Sequence, residues 1–198
     1  MVLKLYSAEG SNCSERVEWV LVYKGLKWER IEVTAEDLAG PYQQNINPFG
    51  FVPMLDHDGF RLAESIAIIE YLEELHPNPA VLGNTITERA RIREICSFVS
   101  TTIHSPQNRS VLTFFRPELE TQDKKRLRAA WIAKTLGTLE PMLWQHSGFC
   151  QGSNFSLADI FVATIYKKLV QHGGDPLPAY EEHREFLFQQ NMTEASRN

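Results

Sequence analysis

The run "LYSAEGSNCSERVEWVL", residues 5–21, decides how this chain is read. An apolar segment breaks at Ser7, small polar residues follow, and a helical pattern begins with Ser11, Asn12, Cys13 and Ser14 at its start. Val17, Val20 and Leu21 share one helical stripe, which runs to a stop signal at Gly25. A helix start gathers unpaired N–H groups and a partial positive charge. An anion is stabilised there, and a thiol gives up its proton more easily. Ser11 and Ser14 add hydroxyl donors. The site suits a thiolate, either that of Cys13 or one carried by a ligand. Simple capping also accounts for these residues, with Asn12 and Glu15 as a capping box.

Working outward, "VLKLY" reads as a short buried strand and "KWERIEV" alternates as a second strand. "VPMLDHDGFRLAES" reads as two strands around Asp58-Gly59, a strong hairpin signal. A helix follows with Ile68, Ile69, Leu72 and Leu75 on one stripe. This βαβ unit followed by hairpin and helix predicts a small mixed sheet with helical cover. "HPNPAVLGNT" then interrupts the pattern. Beyond it no strand is convincing. Thr85 and Glu88 form a capping box, and Ile92, Ile95, Cys96, Val99 and Ile103 make an apolar stripe. A second long helix carries Ile132, Leu136, Leu139 and Leu143. A third starts at "FSLADIF", with Ser156 at the N-cap, Asp159 at N3, and Phe155 stapled onto Ile160. The expected domains are residues 1–76, α/β, and 86–198, all-α, joined by a linker over 77–85. The final "TEASRN" is expected to fray.

Composition narrows the function classes. A formal net charge of -5 leaves no electrostatic footprint for nucleic acid. Basic residues cluster at "KKRLR" (124–128), where helical spacing predicts a solvated face. No apolar run reaches membrane-spanning length, and "MVLKLYSAEG" lacks the plan of a signal peptide. Cys13, Cys96 and Cys150 form no CxxC and no zinc spacing, so free thiols in a reducing compartment, the cytoplasm, are expected, with no metal.

Two further elements bear on chemistry. In "NPFGFVPML", Pro53 directly precedes a strand. A cis Val52-Pro53 bond would present the Val52 backbone to an extended peptide, in the manner of strand addition; a trans turn is the plainer alternative. In "LAESIAIIEYL", Glu64 and Ser65 fall at a helix start, where N–H groups and a hydroxyl can hold a carboxylate while Glu64 accepts from an ammonium group. Capping by Ser65 is the plainer alternative there.

The order strand, "SNCSERV", helix, "VP" before a hairpin, then "ES" opening a helix resembles cytosolic glutathione transferases over nearly the whole chain. The resemblance implies a thioredoxin-like N-terminal domain followed by an all-α C-terminal domain. "SNCSERV" is similar to the Ser-Ser-Cys-Ser-x-Arg-Val motif of the zeta class, which includes maleylacetoacetate isomerases. "IHSPQNRSVL" (103–112) is similar to a second zeta segment. By that resemblance, glutathione is the co-substrate. Ser11 matches the hydroxyl that holds its sulfur as a thiolate, and Cys13 the motif cysteine that tunes the site or exchanges thiols. Asn12 stands where the motif has its second serine, and Asn can still donate a hydrogen bond. Val52, before Pro53, matches the backbone contact to the cysteinyl unit. Glu64 and Ser65 match the pair that holds the γ-glutamyl head. His104, Asn108 and Ser110 match helical-domain positions near glutathione and substrate.

The resemblance further implies a small electrophile against Phe114, Phe115 and Arg116, although core packing of the two aromatics is an equal alternative. It also implies a homodimer. Three departures stand out. Phe51 replaces a polar residue before the Val-Pro pair, and the stretch between Val33 and Asn47 is short. "YKKLVQHGG" (166–174) carries Gln171 and His172 but no arginine where zeta isomerases place one for the substrate carboxylate. Lys167 or Lys168 offers only a point charge in its place. The leading expectation is therefore thiolate addition to an electrophile. Glutathione-dependent isomerisation, a Cys13-based thiol transferase and a non-catalytic binding module are the alternatives.

Overall fold

The computed structural model describes residues 2–38 and 40–192. The chain forms two compact units, one ending at Ala80 and the other beginning at Val81.

The first unit is built on a four-stranded sheet. Its strands are β1 (Leu3–Ser7), β2 (Trp28–Glu32), β3 (Met54–His57) and β4 (Phe60–Ala63), in the order β2-β1-β3-β4. β1 and β2 run parallel, as a crossover helix requires; β1/β3 and β3/β4 are antiparallel. The crossover is α1 (Asn12–Tyr23), and α4 (Ser65–Leu75) packs against it. Leu5, Leu55, Val17, Val20, Leu21, Ile68, Ile69 and Leu72 are fully buried. At roughly 2 kcal/mol for each large side chain removed from water, these groups dominate the favourable side of folding for this unit. The short helices α2 (Ala35–Leu38) and α3 (Pro41–Asn45), not foreseen from the sequence, bring Tyr42 onto Val33 and Met54. Asp58 and Gly59 connect β3 to β4 with φ of 51° and 95°, the paired left-handed geometry that matches strand twist.

α1 ends as the sequence predicts, in a Schellman arrangement: Leu26 N–H donates to Leu21 O at 3.0 Å and Gly25 N–H to Val22 O at 2.9 Å. At the same end Lys24 is buried. Its ammonium donates to Glu73 Oε2 at 2.6 Å, His76 O at 2.7 Å and Pro79 O at 2.8 Å, using all three donors. One lysine thereby ties the end of α1 to the end of α4 and to the chain that leaves it.

The second unit is helical throughout its described residues: α5 (Ile86–Ser97), α6 (Arg109–Phe115), α7 (Thr121–Leu139), α8 (Leu157–Gln171) and α9 (Pro178–Gln189). Thr85 and Glu88 form the expected capping box on α5. The stripe from Ile92 to Ile103 is buried, but it runs through two helical forms. After Ser97 the chain widens into a π-helical segment, Phe98–His104, and then tightens into a 3-10 turn, Ser105–Gln107. α7 ends at Leu139, so Leu143, expected on that helix, is buried beyond a further 3-10 turn instead. α8 is buried along most of its length, and its capping box of Ser156 and Asp159 is present. Phe155 and Ile160 are both buried beside it. α6 and α9 were not separated from their surroundings by the sequence pattern. "TEASRN" lies outside the described residues.

Candidate functional site

The ladder register brings the three sequence elements of the first unit together. Met54 stands opposite Tyr6 on one side and Ala63 on the other. The segments that continue from those positions therefore leave the sheet side by side: Ser7 to Ser11 from β1, Val52 and Pro53 into β3, and Glu64 and Ser65 from β4. Adjacent strands lie about 4.8 Å apart, so the three segments span roughly 10 Å, the reach of about three extended residues.

Each segment has its own local cause. After β1, Ser11 N–H donates to Ala8 O at 3.1 Å, closing a turn whose third residue, Gly10, has φ 72°. Glycine takes that left-handed position without a Cβ clash. The turn makes Ser11, not Asn12, the N-cap of α1. Ser11 Oγ accepts from Ser14 N–H at 3.3 Å and from the Ser14 hydroxyl at 3.1 Å. It is the acceptor in both, so its own O–H proton is available to donate outward. Asn12 is buried in the first helical turn and Cys13 is half-buried beside it. The loop is fixed from behind. Buried Ser7 donates to Glu18 Oε1 at 2.6 Å, Arg30 Nε donates to the same oxygen at 3.0 Å, and Glu9 N–H donates to Glu32 Oε1 at 2.8 Å.

The Val52-Pro53 bond is cis. β3 begins at Met54, so Val52 lies outside the strand ladder. The residue before it is anchored: Phe51 O accepts from Asn47 Nδ2 at 2.7 Å and from Tyr42 OH at 3.0 Å. The Phe51 ring itself is exposed. At α4, Ser65 is the first helical residue; it does not cap. Glu64 holds the N-cap position with φ 70° and ψ 117°, and its side chain makes no capping bond. A left-handed backbone at a non-glycine residue costs of order 1–3 kcal/mol and is retained where surroundings impose it.

In the helical unit, Asn108 caps α6, its Oδ1 accepting from Arg109 N–H at 2.8 Å. His104 is half-buried with Nδ1 3.4 Å from Gln107 Nε2, and Ser110 is exposed. Phe114 and Phe115 are not core residues. They are 78% and 70% exposed, edge to face at 5.1 Å, which removes the packing alternative. Arg116 pairs with Glu118 at 2.5 Å.

The expectation of a uniformly solvated basic face at residues 124–128 needs correction. Arg128 turns inward, half-buried, and its Nε is closed off from solvent with no hydrogen-bond partner among the described residues. Its spacing from Trp131, three residues on, is the signal that was legible.

Among the described residues, Cys150, Asp159 and His183 place ligand atoms within 4.8 Å of one another, all buried. They already satisfy each other. Asp159 accepts from Cys150 N–H at 2.7 Å, Ser156 N–H at 2.8 Å and Ser156 Oγ at 3.1 Å, and pairs with His183 Nε2 at 3.0 Å. Burial, then the Asp159 charge, pushes the Cys150 thiol well up, so it is no nucleophile at neutral pH. The arrangement is a cap for α8.

Comparison with known proteins agrees with this geometry. Residues 5–80 match the family model of the glutathione S-transferase N-terminal domain. A zeta-class glutathione S-transferase of Euphorbia esula is 36% identical over 165 residues, covering 81% of this chain and 72% of that protein. A maleylacetoacetate isomerase of Pseudomonas aeruginosa is 35% identical over 166 residues, covering 81% and 78%. Among solved structures, a bacterial zeta-class maleyl pyruvate isomerase superposes with a TM-score of 0.88 at 26% identity, covering 96% of this chain and 93% of that one. Maleylacetoacetate isomerase from Anaeromyxobacter dehalogenans, with glutathione in its active site, gives 0.80 at 30% identity, covering 93% and 89%. The chain is an enzyme of the glutathione S-transferase family and, within it, of the zeta class.

Proposed function

We propose that the enzyme binds glutathione along the edge where β1, β3 and β4 end, holds its sulfur as a thiolate, and adds that thiolate to a small electrophile. The observation that supports the reading is the Tyr6, Met54, Ala63 register, which sets the segments after β1, before β3 and after β4 side by side, a spacing compatible with a tripeptide. Glu64 and Ser65 take the γ-glutamyl head, the Val52 backbone beside Pro53 pairs with the cysteinyl unit, and the sulfur lies at Ser11. The Ser11 O–H and the start of α1, with Asn12 and Cys13 in its first turn, favour the charged form of sulfur. No protein acid or base is needed. Stabilising the thiolate raises its concentration at neutral pH, and fixed dipoles do so without reorganising.

With an aryl chloride as the electrophile, the thiolate attacks the ring carbon, a C–S bond forms, the C–Cl bond breaks and chloride leaves. His104, Asn108 and Ser110 approach glutathione and substrate in this reading, and Phe114 and Phe115 offer apolar surface to the electrophile. Arg116, engaged by Glu118, contributes less. We place the enzyme in the cytoplasm as a homodimer, on its free thiols and its family.

The names of the relatives favour a second reading, glutathione-dependent cis-trans isomerisation, which uses the same thiolate as a transient adduct. Retention on immobilised glutathione separates both enzyme readings from a vestigial module. A conjugation assay on Ser11→Ala and Cys13→Ala then assigns the chemistry. Loss of turnover in Ser11→Ala with retention in Cys13→Ala is expected; the reverse pattern moves the chemistry to a Cys13 mixed disulfide. Isomerisation of maleylacetone by the wild type tests the second reading.

A further inference from the structure

A charge network stands behind the turn that delivers Ser11, and thiolate chemistry as derived so far gives it no part. In the parallel register Arg30 lies opposite Leu5 and Glu32 opposite Ser7. Two residues apart on β2, Arg30 and Glu32 share one face of the sheet. From there the Arg30 guanidinium reaches three elements. Nη2 donates to Ser7 Oγ at the end of β1 at 3.2 Å, Nε to Glu18 Oε1 on α1 at 3.0 Å, and Nη1 to Glu32 Oε2 on β2 itself. Ser7 in turn donates to the same Glu18 oxygen at 2.6 Å.

Glu32 is the outward link. While Oε2 takes Arg30, Oε1 accepts the Glu9 N–H at 2.8 Å. Glu9 lies inside the turn closed by Ser11 N–H and Ala8 O. The network therefore starts on buried Glu18 and ends on the backbone two residues before Ser11. Balancing the buried Glu18 carboxylate accounts for only part of it, since any cation would serve. A planar fork aimed at three residues, continued by a carboxylate aimed at a loop amide, also fixes where the chain runs between Ser7 and Ser11.

We propose that Arg30 and Glu32 are positioning residues for Ser11: through Ser7, Glu18 and the Glu9 amide they hold the β1–α1 turn so that the Ser11 oxygen meets the glutathione sulfur. That the oxygen so placed serves a thiolate rests on the transferase reading above. A misplacement of about 1 Å is enough to cost a reacting pair about a hundredfold, so a loosened turn is felt in turnover.

The test uses four variants of the full chain, each checked by melting. Arg30→Lys keeps the charge and loses the fork. Glu32→Ala removes the outer link at an exposed side chain and leaves Glu18 with its arginine. Glu32→Gln keeps an acceptor for Glu9 N–H. Arg91→Lys, which disturbs an exposed pair with Glu94 on α5, is the control.

The first arm needs no ligand: hydrogen exchange at the Ser11 and Ser14 amides, which donate to Ala8 O and Ser11 Oγ. Exchange is expected to quicken about tenfold in Arg30→Lys and Glu32→Ala, by less in Glu32→Gln, and not in Arg91→Lys. In the second arm, kcat for conjugation falls about tenfold in the first two variants while KM for glutathione stays within about twofold. Their bound thiol titrates about half a unit higher than in the wild type.

Unchanged exchange in both Arg30→Lys and Glu32→Ala overturns the proposal. So does faster exchange in an enzyme that depresses the bound thiol and whose variants keep wild-type kcat and titration. A kcat loss that tracks lower melting, with the thiol titration unmoved, overturns it too, because stability alone then explains the network. Faster exchange in variants of a wild type that leaves glutathione unbound, or its thiol undepressed, upholds the fastening of Ser11 and removes the thiolate reading instead.

Discussion

Ser11 accepts the hydroxyl of Ser14 at 3.1 Å and its amide at 3.3 Å, so a single oxygen starts α1 as acceptor of both bonds and does not spend its own proton on either. Structure and chemistry are separable at this residue by substitution. Ser11→Ala loses the cap and the outward donor, costing about 1 kcal/mol of stability and about a hundredfold or more in kcat. Ser11→Thr restores both. Thermal melts and conjugation rates on the two variants check this; a Thr variant as inactive as Ala would show that geometry finer than a hydroxyl is required.

The ligand role proposed for Glu64 falls on a residue with backbone strain, and two variants resolve the two. Glu64→Gln removes the charge that accepts the γ-glutamyl ammonium, and the Kd for glutathione is expected to rise about tenfold to a hundredfold. Glu64→Gly weakens binding as much but raises stability by about 1 kcal/mol, since glycine adopts φ 70° without penalty. Calorimetry with glutathione and denaturant melts read the two effects apart.

Lys24 is the buried tie of the first unit. Lys24→Met leaves Glu73 charged in the interior and strips His76 O and Pro79 O of a donor. A loss of about 3–5 kcal/mol is expected, read as a lower urea midpoint. Lys24→Met with Glu73→Leu is expected to recover most of it, because the stranded charge is then gone.

His172 sets one part of the acid limb of stability. Its pKa, near 6.5 when unfolded, falls to about 4 in the folded chain, first through burial and then through Arg128, Lys168 and Lys125. Above 6.5 both states are neutral and the folded state keeps its full stability. Between 6.5 and 4 the unfolded chain takes up a proton that the folded one refuses, so stability falls as pH falls. His172→Gln is expected to flatten that limb in melts taken across pH 4 to 7. An unchanged slope would place the acid sensitivity elsewhere.

Features governed by neighbours in sequence were legible without the structure. The Asp58-Gly59 hairpin and the capping boxes at Thr85 and Ser156 are local: a few residues contain both the donors and the acceptors. Where two residues are equally able to cap, sequence misplaces the helix start by one. Asn12 and Ser11 both suit the position, and the Ala8–Ser11 turn with its left-handed Gly10 decides between them. Ser65 loses its cap role to the strained backbone of Glu64 for a similar reason. The widening of the helix over Phe98–His104 leaves its apolar stripe intact, so periodicity cannot reveal it. The inward turn of Arg128 depends on how α7 is docked through Trp131, and α9 carries a mixed pattern that packing resolves. That the segments leaving β1, entering β3 and leaving β4 do so side by side follows from the register of the three strands, which no one segment encodes.

The most direct measurement is a pH titration of thiolate absorbance for glutathione bound to the wild type and to Ser11→Ala. The account predicts that the bound thiol titrates about one to two units below the free peptide, and that Ser11→Ala returns it most of the way. A bound thiol that titrates like the free one, or a depressed value that Ser11→Ala leaves in place and Cys13→Ala removes, would contradict it.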